Sequence, residues 1–466
     1  MLRNFLLFFC LLPSLAWAQQ PTVKPQTKPQ LEKPATVAPA PDLSLEDAIR
    51  IGLENNYGIR LARREEEITD NNVTRGNAGQ LPQVNGNFTR TFNRNNVRQQ
   101  LGAQDPRIAN GAQSNLFNSN VALNWTVFDG LGMFIAYDRL EALRSQQRQV
   151  TRATVQQAVA DITDAYFAVV REAGRTRSFE EALTIGQQRI DLTQARVDVG
   201  LSAKVEVLTA RVDFNADRSG LIQQQEALAS AKIRLNTLLG RTPRLDFHPA
   251  DSIVVNRNLD QSVVAEQLRQ QNPRLQQARL GIDVATYDRR LVRASRFPQI
   301  GLTTGYGFNR NINGAAFFGT QLATNTSRVY GLNYGVVASV PIFDGFNRRR
   351  LEQNARIVEE QSRLSLAQTQ LQLSAELEQA YVQYRNRLEL LELEEDNILL
   401  ARQNVAIALE RYRLGLLTPL VLREAQRTQL DAEIRLLDIR FQAKQAETAL
   451  RRLSGDLVQE EPATTK

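Results

Sequence analysis

Val155-Gln156-Gln157-Ala158-Val159-Ala160-Asp161-Ile162-Thr163-Asp164-Ala165-Tyr166-Phe167-Ala168-Val169 is the stretch that decides the fold. Its apolar residues Val155, Val159, Ile162, Tyr166 and Val169 step alternately by four and three, which keeps one stripe on one helix face as in a coiled-coil seam. The run around it holds no proline from Leu131 to about Val199. At about 1.5 Å per residue such a helix is roughly 100 Å long, more than a compact domain can hold. The pattern breaks at Gly200-Leu201-Ser202, where glycine supplies the left-handed residue that stops a helix and Ser202 is placed to cap the next. A second helix is expected to run to Leu239 and end at Gly240.

This helical hairpin occurs twice. Phe128-Asp129-Gly130 matches Phe343-Asp344-Gly345, Ala165-Tyr166 matches Ala380-Tyr381, Gly200-Leu201 matches Gly415-Leu416, and Gly240 matches Gly455, all at an offset of 215 (343 − 128). Asn56 matches Asn272, and Pro82-Gln83 matches Pro298-Gln299, at an offset of 216 (272 − 56). A constant offset through places of different local structure marks a tandem duplication. The first repeat is read over 43–240, the second over 261–455, with 241–260 as the crossover and 456–466 as a C-terminal tail.

Residues 1–18 read as a secretory signal peptide, with Arg3 before an apolar core and Ala16-Trp17-Ala18 as the cleavage site. The only cysteine, Cys10, lies inside that core, so the mature chain is expected to form no disulfide, thiolate metal site or cysteine nucleophile. Residues 19–42 carry six of the sixteen prolines with almost nothing to bury, and read as a disordered tail. Ser44 and Asp47 have the spacing of a capping box that opens the first helix, which breaks near Asn56; a second helical run continues to about Ala78. The formal charge of +7 is spread over helix faces rather than clustered with aromatic residues, which argues against a nucleic-acid partner.

From Pro82 the period becomes two. Val84, Phe88 and Phe92 alternate with Asn85, Asn87, Thr89 and Thr91, and Val121, Leu123, Trp125 and Val127 alternate with Asn120, Asn124 and Thr126. Two hairpins are thus expected, over about 82–128 and about 298–343. Each strand is read as about ten residues, the length that crosses a bilayer when tilted. Ordinary half-buried strands packed on helices fit the alternation equally well. Four strands per chain cannot close a membrane barrel, and an open edge is forbidden in lipid, so the membrane reading requires several chains.

Chemistry is sparse. His248, the only histidine, lies between Phe247 and Pro249 and reads as structural or surface, and no constellation supports catalysis, a metal or a cofactor. The clusters Glu65-Glu66-Glu67 and Glu394-Glu395-Asp396 read as solvated helix faces.

A signal peptide followed by two copies of helix, β-hairpin, long helix, tip and return helix resembles the TolC family of outer-membrane efflux channels. The likeness rests on Leu81-Pro82-Gln83 and Phe297-Pro298-Gln299 entering the strands, on Val127-Phe128-Asp129-Gly130 and Ile342-Phe343-Asp344-Gly345 leaving them, and on the tip Arg411-Tyr412-Arg413-Leu414-Gly415-Leu416-Leu417-Thr418-Pro419-Leu420. It implies a mainly α protein with membrane β: a coiled-coil α-helical barrel in the periplasm joined to a transmembrane β-barrel of twelve strands, four from each chain of a homotrimer. It further implies a passive exit duct embedded in outer-membrane lipid, partnered by a periplasmic adaptor and a proton-driven or ATP-driven inner-membrane transporter. A structural coiled-coil protein of the envelope without a pore is the alternative.

The family narrows its periplasmic aperture with acidic and tyrosine residues near the second tip, usually in an Asp-Val-Leu-Asp segment. Here Val421-Leu422-Arg423-Glu424 keeps only the last acid and sets an arginine beside it. Tyr412, Glu424 and Glu206 are the expected aperture residues, acting either as a carboxylate ring or as one side of a latch with Arg411, Arg413, Arg423 and Arg427, with Tyr412 bonding across near Glu206. Gly200, Leu201, Ser202, Gly415, Leu416 and Leu417 are the expected adaptor-docking tips, because apolar residues beside a helix-stopping glycine have no core to enter; packing on each other across the tip is the alternative.

Overall fold

The computed structural model describes residues 41–457 apart from 101, 104, 319 and 320. The signal peptide, the Pro-rich tail up to residue 40 and the C-terminal tail from 458 lie outside the described residues. Asp42, read as the end of that tail, already pairs: β1 (Asp42–Leu43) lies parallel to β4 (His248–Pro249) in the crossover. Leu43 is buried there, and Tyr166 donates its hydroxyl hydrogen to the Leu43 carbonyl at 2.9 Å, which ties the start of the fold to the middle of a long helix. His248 is exposed, whereas its neighbour Phe247 enters the core.

Each repeat has one continuous helix and three shorter ones. In the first repeat α1 (Leu45–Asn55), α2 (Tyr57–Asn72) and α4 (Lys204–Leu238) accompany α3 (Gly132–Asp198). In the second, α5 (Gln261–Gln271), α6 (Pro273–Ala294) and α8 (Pro419–Ser454) accompany α7 (Asn347–Arg413). The 67 residues of α3 span roughly 100 Å and the 35 of α4 only about half of that. α2 covers the remainder, because it starts where α4 ends.

One side chain makes that junction in each repeat. Asn56 ends α1 and begins α2: its Oδ1 accepts from the Ile59 amide at 3.1 Å, and its Nδ2 donates to the Leu238 carbonyl at the end of α4 at 2.7 Å. Asn272 repeats the device, accepting from the Arg274 and Leu275 amides at 3.0 and 3.2 Å and donating to the Leu453 carbonyl at 3.0 Å. The amide side chain thus satisfies orphan donors of one helix and an orphan acceptor of another. Gly240 and Gly455 follow with φ of 65° and 83°, and a Cβ at either would approach a backbone oxygen, of Asn55 or Gln271, at 2.4 or 3.0 Å.

α2 ends at Asn72, earlier than the expected Ala78. Asn77 explains the stop: its amide binds the Thr74 hydroxyl and its side chain binds the Asn72 carbonyl, offering the backbone a turn in place of the helix. Ser202 is likewise not a helix cap. Ala203 occupies that position without a side-chain bond, and Ser202 bonds to the Glu206 carboxylate instead.

Apolar stripes of the long helices form the core. Ile162, Tyr166, Phe167 and Val169 pack on Leu235, Leu239 and Phe247, while Leu373, Leu377 and Tyr384 pack on Val264, Leu275, Leu450 and Leu453. Each large side chain so buried contributes about 1.5–3 kcal/mol. The duplication is imperfect at this level. Tyr166 matches Tyr381 in sequence, yet Tyr384 is the fully buried tyrosine that bonds to the Asn256 carbonyl. Glu394 and Glu395 are not a purely solvated face either: they bridge to Arg435 at 3.2 Å, and to Arg257 and Arg440 at 2.8 and 3.3 Å. Burial works to raise the Glu395 pKa, but those two guanidiniums hold it below the usual carboxylate value.

The strands β2 (Gln83–Gln99), β3 (Arg107–Phe128), β5 (Gln299–Phe318) and β6 (Gln321–Ser339) form one antiparallel sheet in the order β2-β3-β5-β6. Their 17 to 22 residues exceed the expected ten. The regular apolar alternation stops after about ten positions, beyond which polar residues predominate without a period of two, while backbone pairing continues. Val84, Phe88, Tyr306, Leu332 and Tyr334 share one exposed face; Asn118, Asn120, Asn124, Asn309 and Asn333 line a hollow on the other. Among the described residues no helix is long and apolar enough to cross a membrane.

Removing the junction amide in Asn272→Ala leaves the Leu453 carbonyl unpaired in a buried site and should cost about 1–3 kcal/mol. A lowered midpoint of helix melting followed by circular dichroism checks this, and Asn272→Asp, which keeps the cap but loses the donor, should fall between.

Candidate functional site

The two helical tips end in the same backbone device. Gly200 and Gly415 adopt φ of 79° and 78°, and the next amides, of Leu201 and Leu416, reach back to the Arg196 and Arg411 carbonyls at 2.8 and 2.9 Å. This closes each helix with the orphan carbonyls paired and pushes the next side chain outward. Leu201 and Leu416 are each 72% exposed. Leu417 differs from the expectation for a docking residue. It is half-buried against a small core of Val405, Ala408, Tyr412, Leu422 and Ala425, with Leu192 of the first hairpin packed on the same cluster.

Tyr412 is fully buried at the seam between the hairpins. Its hydroxyl lies 2.7 Å from the Thr193 hydroxyl of α3, and the Arg196 guanidinium stacks 5.2 Å from its ring centroid while donating to its carbonyl at 3.2 Å. Tyr412 therefore crosses to the first hairpin, as expected, but on the ascending helix, through Thr193 and Arg196. Glu206 accepts from Ser202 within its own tip, and Glu424 is exposed with no ion pair among the described residues. Among the described residues no contact brings Tyr412, Glu206 and Glu424 together.

Near the tips a further tie between the hairpins uses residues the sequence reading did not pair. Arg423 of α8 grips Asp217 of α4 with both guanidinium nitrogens, at 2.6 and 2.8 Å. Its Nε lies 3.9 Å from Asp213, which in turn accepts from the buried Arg189 of α3 at 2.7 Å. Two guanidiniums thus alternate with two carboxylates across three helices. The Asp217 carboxylate, by hydrogen bond and charge, raises the Arg423 pKa above the ordinary guanidinium value, so Arg423 is a permanent cation. A bidentate pair of this kind has one geometry, and a small displacement of α8 along α4 breaks both bonds at once.

A sequence signal for this tie exists, in the differences between the repeats. At the 215-residue offset Asp217 stands opposite Ala432, Arg423 opposite Leu208, Thr193 opposite Ala408 and Tyr412 opposite Val197. At these four positions polar residues replace apolar ones where the two hairpins of one chain face each other.

The comparisons with known proteins agree with this architecture. The family model described as outer membrane efflux protein matches residues 48–241 and 264–456, one match for each repeat. The chain is 24% identical to protein CyaE of Bordetella pertussis over 347 residues, covering 74% of this chain and 69% of CyaE. It is 24% identical to the outer membrane protein TolC of Vibrio cholerae, over 65% of this chain and 65% of that relative, slightly under two thirds of its length. The open state of the MtrE outer membrane channel of Neisseria gonorrhoeae superposes with a TM-score of 0.68 at 16% identity, covering 89% of each chain.

If the Arg423–Asp217 bridge ties α8 to α4, Arg423→Ala and Asp217→Ala should be non-additive. A double-mutant cycle read from unfolding midpoints is expected to give a coupling of about 1–3 kcal/mol. Simple additivity would show that the pair contributes nothing.

Proposed function

This chain belongs to the outer membrane efflux protein family, and on that premise we propose that three copies close one channel whose periplasmic end is shut by a latch inside each protomer. The chain is an outer-membrane channel, the exit duct of an efflux or secretion system, with a large periplasmic part. The four-stranded sheet carries the trimer reading. Its edge strands β2 and β6 leave their outer backbone groups unpaired over 17 and 19 residues beside an apolar face, which lipid does not tolerate. Joining β6 of one copy to β2 of the next removes both edges, and three copies give twelve strands (3 × 4).

The duct is passive and works with a periplasmic adaptor and an inner-membrane transporter. The adaptor docks on Leu201 and Leu416, which have no core of their own to enter. Opening moves the α7–α8 hairpin away from the α3–α4 hairpin, so it must break the Arg423–Asp217 bridge and the Tyr412–Thr193 bond together. Glu424 is free to face its two symmetry mates across the axis, where three carboxylates would bind divalent cations and block the closed entrance. Latch and ring are therefore separate devices carried by neighbouring residues.

Cysteine pairs placed along β2 and β6 of the mature protein, which lacks Cys10, should cross-link outer-membrane fractions into a ladder ending at the trimer; a ladder ending at the dimer, or no ladder, contradicts the closure. In planar bilayers Arg423→Ala combined with Tyr412→Phe is expected to raise single-channel conductance, and Glu424→Gln to abolish divalent block with little change in conductance. Leu201→Asp with Leu416→Asp should stop export without reducing the trimer in the membrane.

A further inference from the structure

The sheet carries charge of one sign only. Its four long strands contain no Asp, Glu or Lys, yet they hold six arginines, at positions 90, 94, 98, 107, 310 and 328. Three of these fall in a single row. Arg90 stands opposite Phe117, Phe117 opposite Arg310, and Arg310 opposite Arg328. Directly opposed residues of antiparallel strands share a face, so the three guanidiniums lie on one side of the sheet.

That side is the apolar one. The next row toward the helices is Phe88, Ser119, Phe308 and Tyr330, and edge-to-face contacts of 5.1 and 5.7 Å link Phe88 to Phe117 and Phe117 to Phe308. From Ile300, beside the helices, to Arg310 is ten residues (310 − 300), the length of a tilted strand that crosses a bilayer. The arginine row therefore lies at the outer-leaflet end of the lipid-facing band, with Phe92 and Ile312 the apolar residues of the next row outward on the same face. β5 continues for eight residues beyond it (318 − 310), so the row belongs to the rigid sheet and not to a loop.

Among the described residues no carboxylate neutralises it. All three side chains are exposed, and none of them forms an ion pair among the described residues. Since no long strand carries a carboxylate, a neighbouring copy joined edge to edge cannot supply one from its strands. Arg310 and Arg328 repel each other as direct cross-strand neighbours, and a cation at the lipid border is costly without a counter-charge. An anion between them removes both penalties. The choice of arginine throughout, with no lysine, suits the forked recognition of phosphate. The Arg90 guanidinium also lies 4.7 Å from the Phe92 ring centroid, which holds it along the sheet surface.

We propose that Arg90, Arg310 and Arg328 form a binding row for the phosphate groups of the outer-leaflet glycolipid, the lipid A part of lipopolysaccharide, while the aromatic residues beneath pack on its acyl chains. The row depends on which face of the sheet meets lipid, and not on the closed entrance or on the number of copies.

The test uses the whole protein purified in detergent and stripped of lipid, titrated with lipid A and with chemically dephosphorylated lipid A, with bound lipid counted by native mass spectrometry. The parent protein should retain lipid A and bind the dephosphorylated lipid on the order of tenfold or more weakly. The triple variant Arg90→Gln, Arg310→Gln, Arg328→Gln should lose that preference while keeping its strand content and its oligomeric state in detergent, and the triple Lys variant should retain part of it. Equal retention of the two lipids by the parent overturns the proposal without recourse to any variant, and so does an undiminished preference in the Gln variant.

Discussion

Two strand edges in an apolar environment govern this molecule. A four-stranded antiparallel sheet with β2 and β6 at its borders presents backbone donors and acceptors along both sides, and one of its faces is lined by Phe88, Tyr306, Leu332 and Tyr334. Water would satisfy the edges but not that face, and lipid would satisfy the face but not the edges. Closing the sheet through further copies, as proposed, would resolve the conflict, and the fold holds two hairpins per chain side by side for it. The long helices α3 and α7 leave the sheet from β3 and β6 and carry their apolar stripes far from the membrane.

The helical part solves a second problem, that of a return helix half as long as its partner. Asn56 and Asn272 let one helix begin where another ends, so the missing length is filled by α2 and α6 without a gap in backbone hydrogen bonding. The device is the same in both repeats because the problem is the same. At the tips the repeats diverge, since the seam between them requires opposite charges. Arg189, Asp213, Asp217 and Arg423 provide these, giving a tie that is rigid while intact and lost over a small displacement, as the proposed latch requires.

Much of this was legible in the sequence because local backbone chemistry repeats with the chain. The helix-stopping glycines at 200 and 415, the period change after Pro82 and Pro298 and the matching asparagines at 56 and 272 identify the duplication before any packing is known. The strand ends were not legible, since alternation can be read only where apolar residues recur on one face, and beyond Phe92 and Ile312 that recurrence is lost. The inter-hairpin bridge was missed for another reason: Asp217 and Arg423 lie 206 residues apart, and neither is unusual in its own helix. Leu417 could not be told from Leu416, because a tip leucine looks equally available in sequence whether it points outward, as Leu416 does, or back into the small core around Tyr412. Tertiary placement, absent from any local pattern, decided between them.

Closure of the sheet is most directly tested by hydrogen exchange on the assembled channel in detergent. In an isolated four-stranded sheet the alternate amides of β2 and β6 that point away from β3 and β5 have no partner and exchange freely with solvent. In the closed assembly those amides are bonded to the neighbouring copy and should be protected as strongly as the amides of β3 and β5. Protection across all four strands alike is the predicted result. Fast exchange of the outer amides of β2 and β6, with β3 and β5 protected, would contradict it.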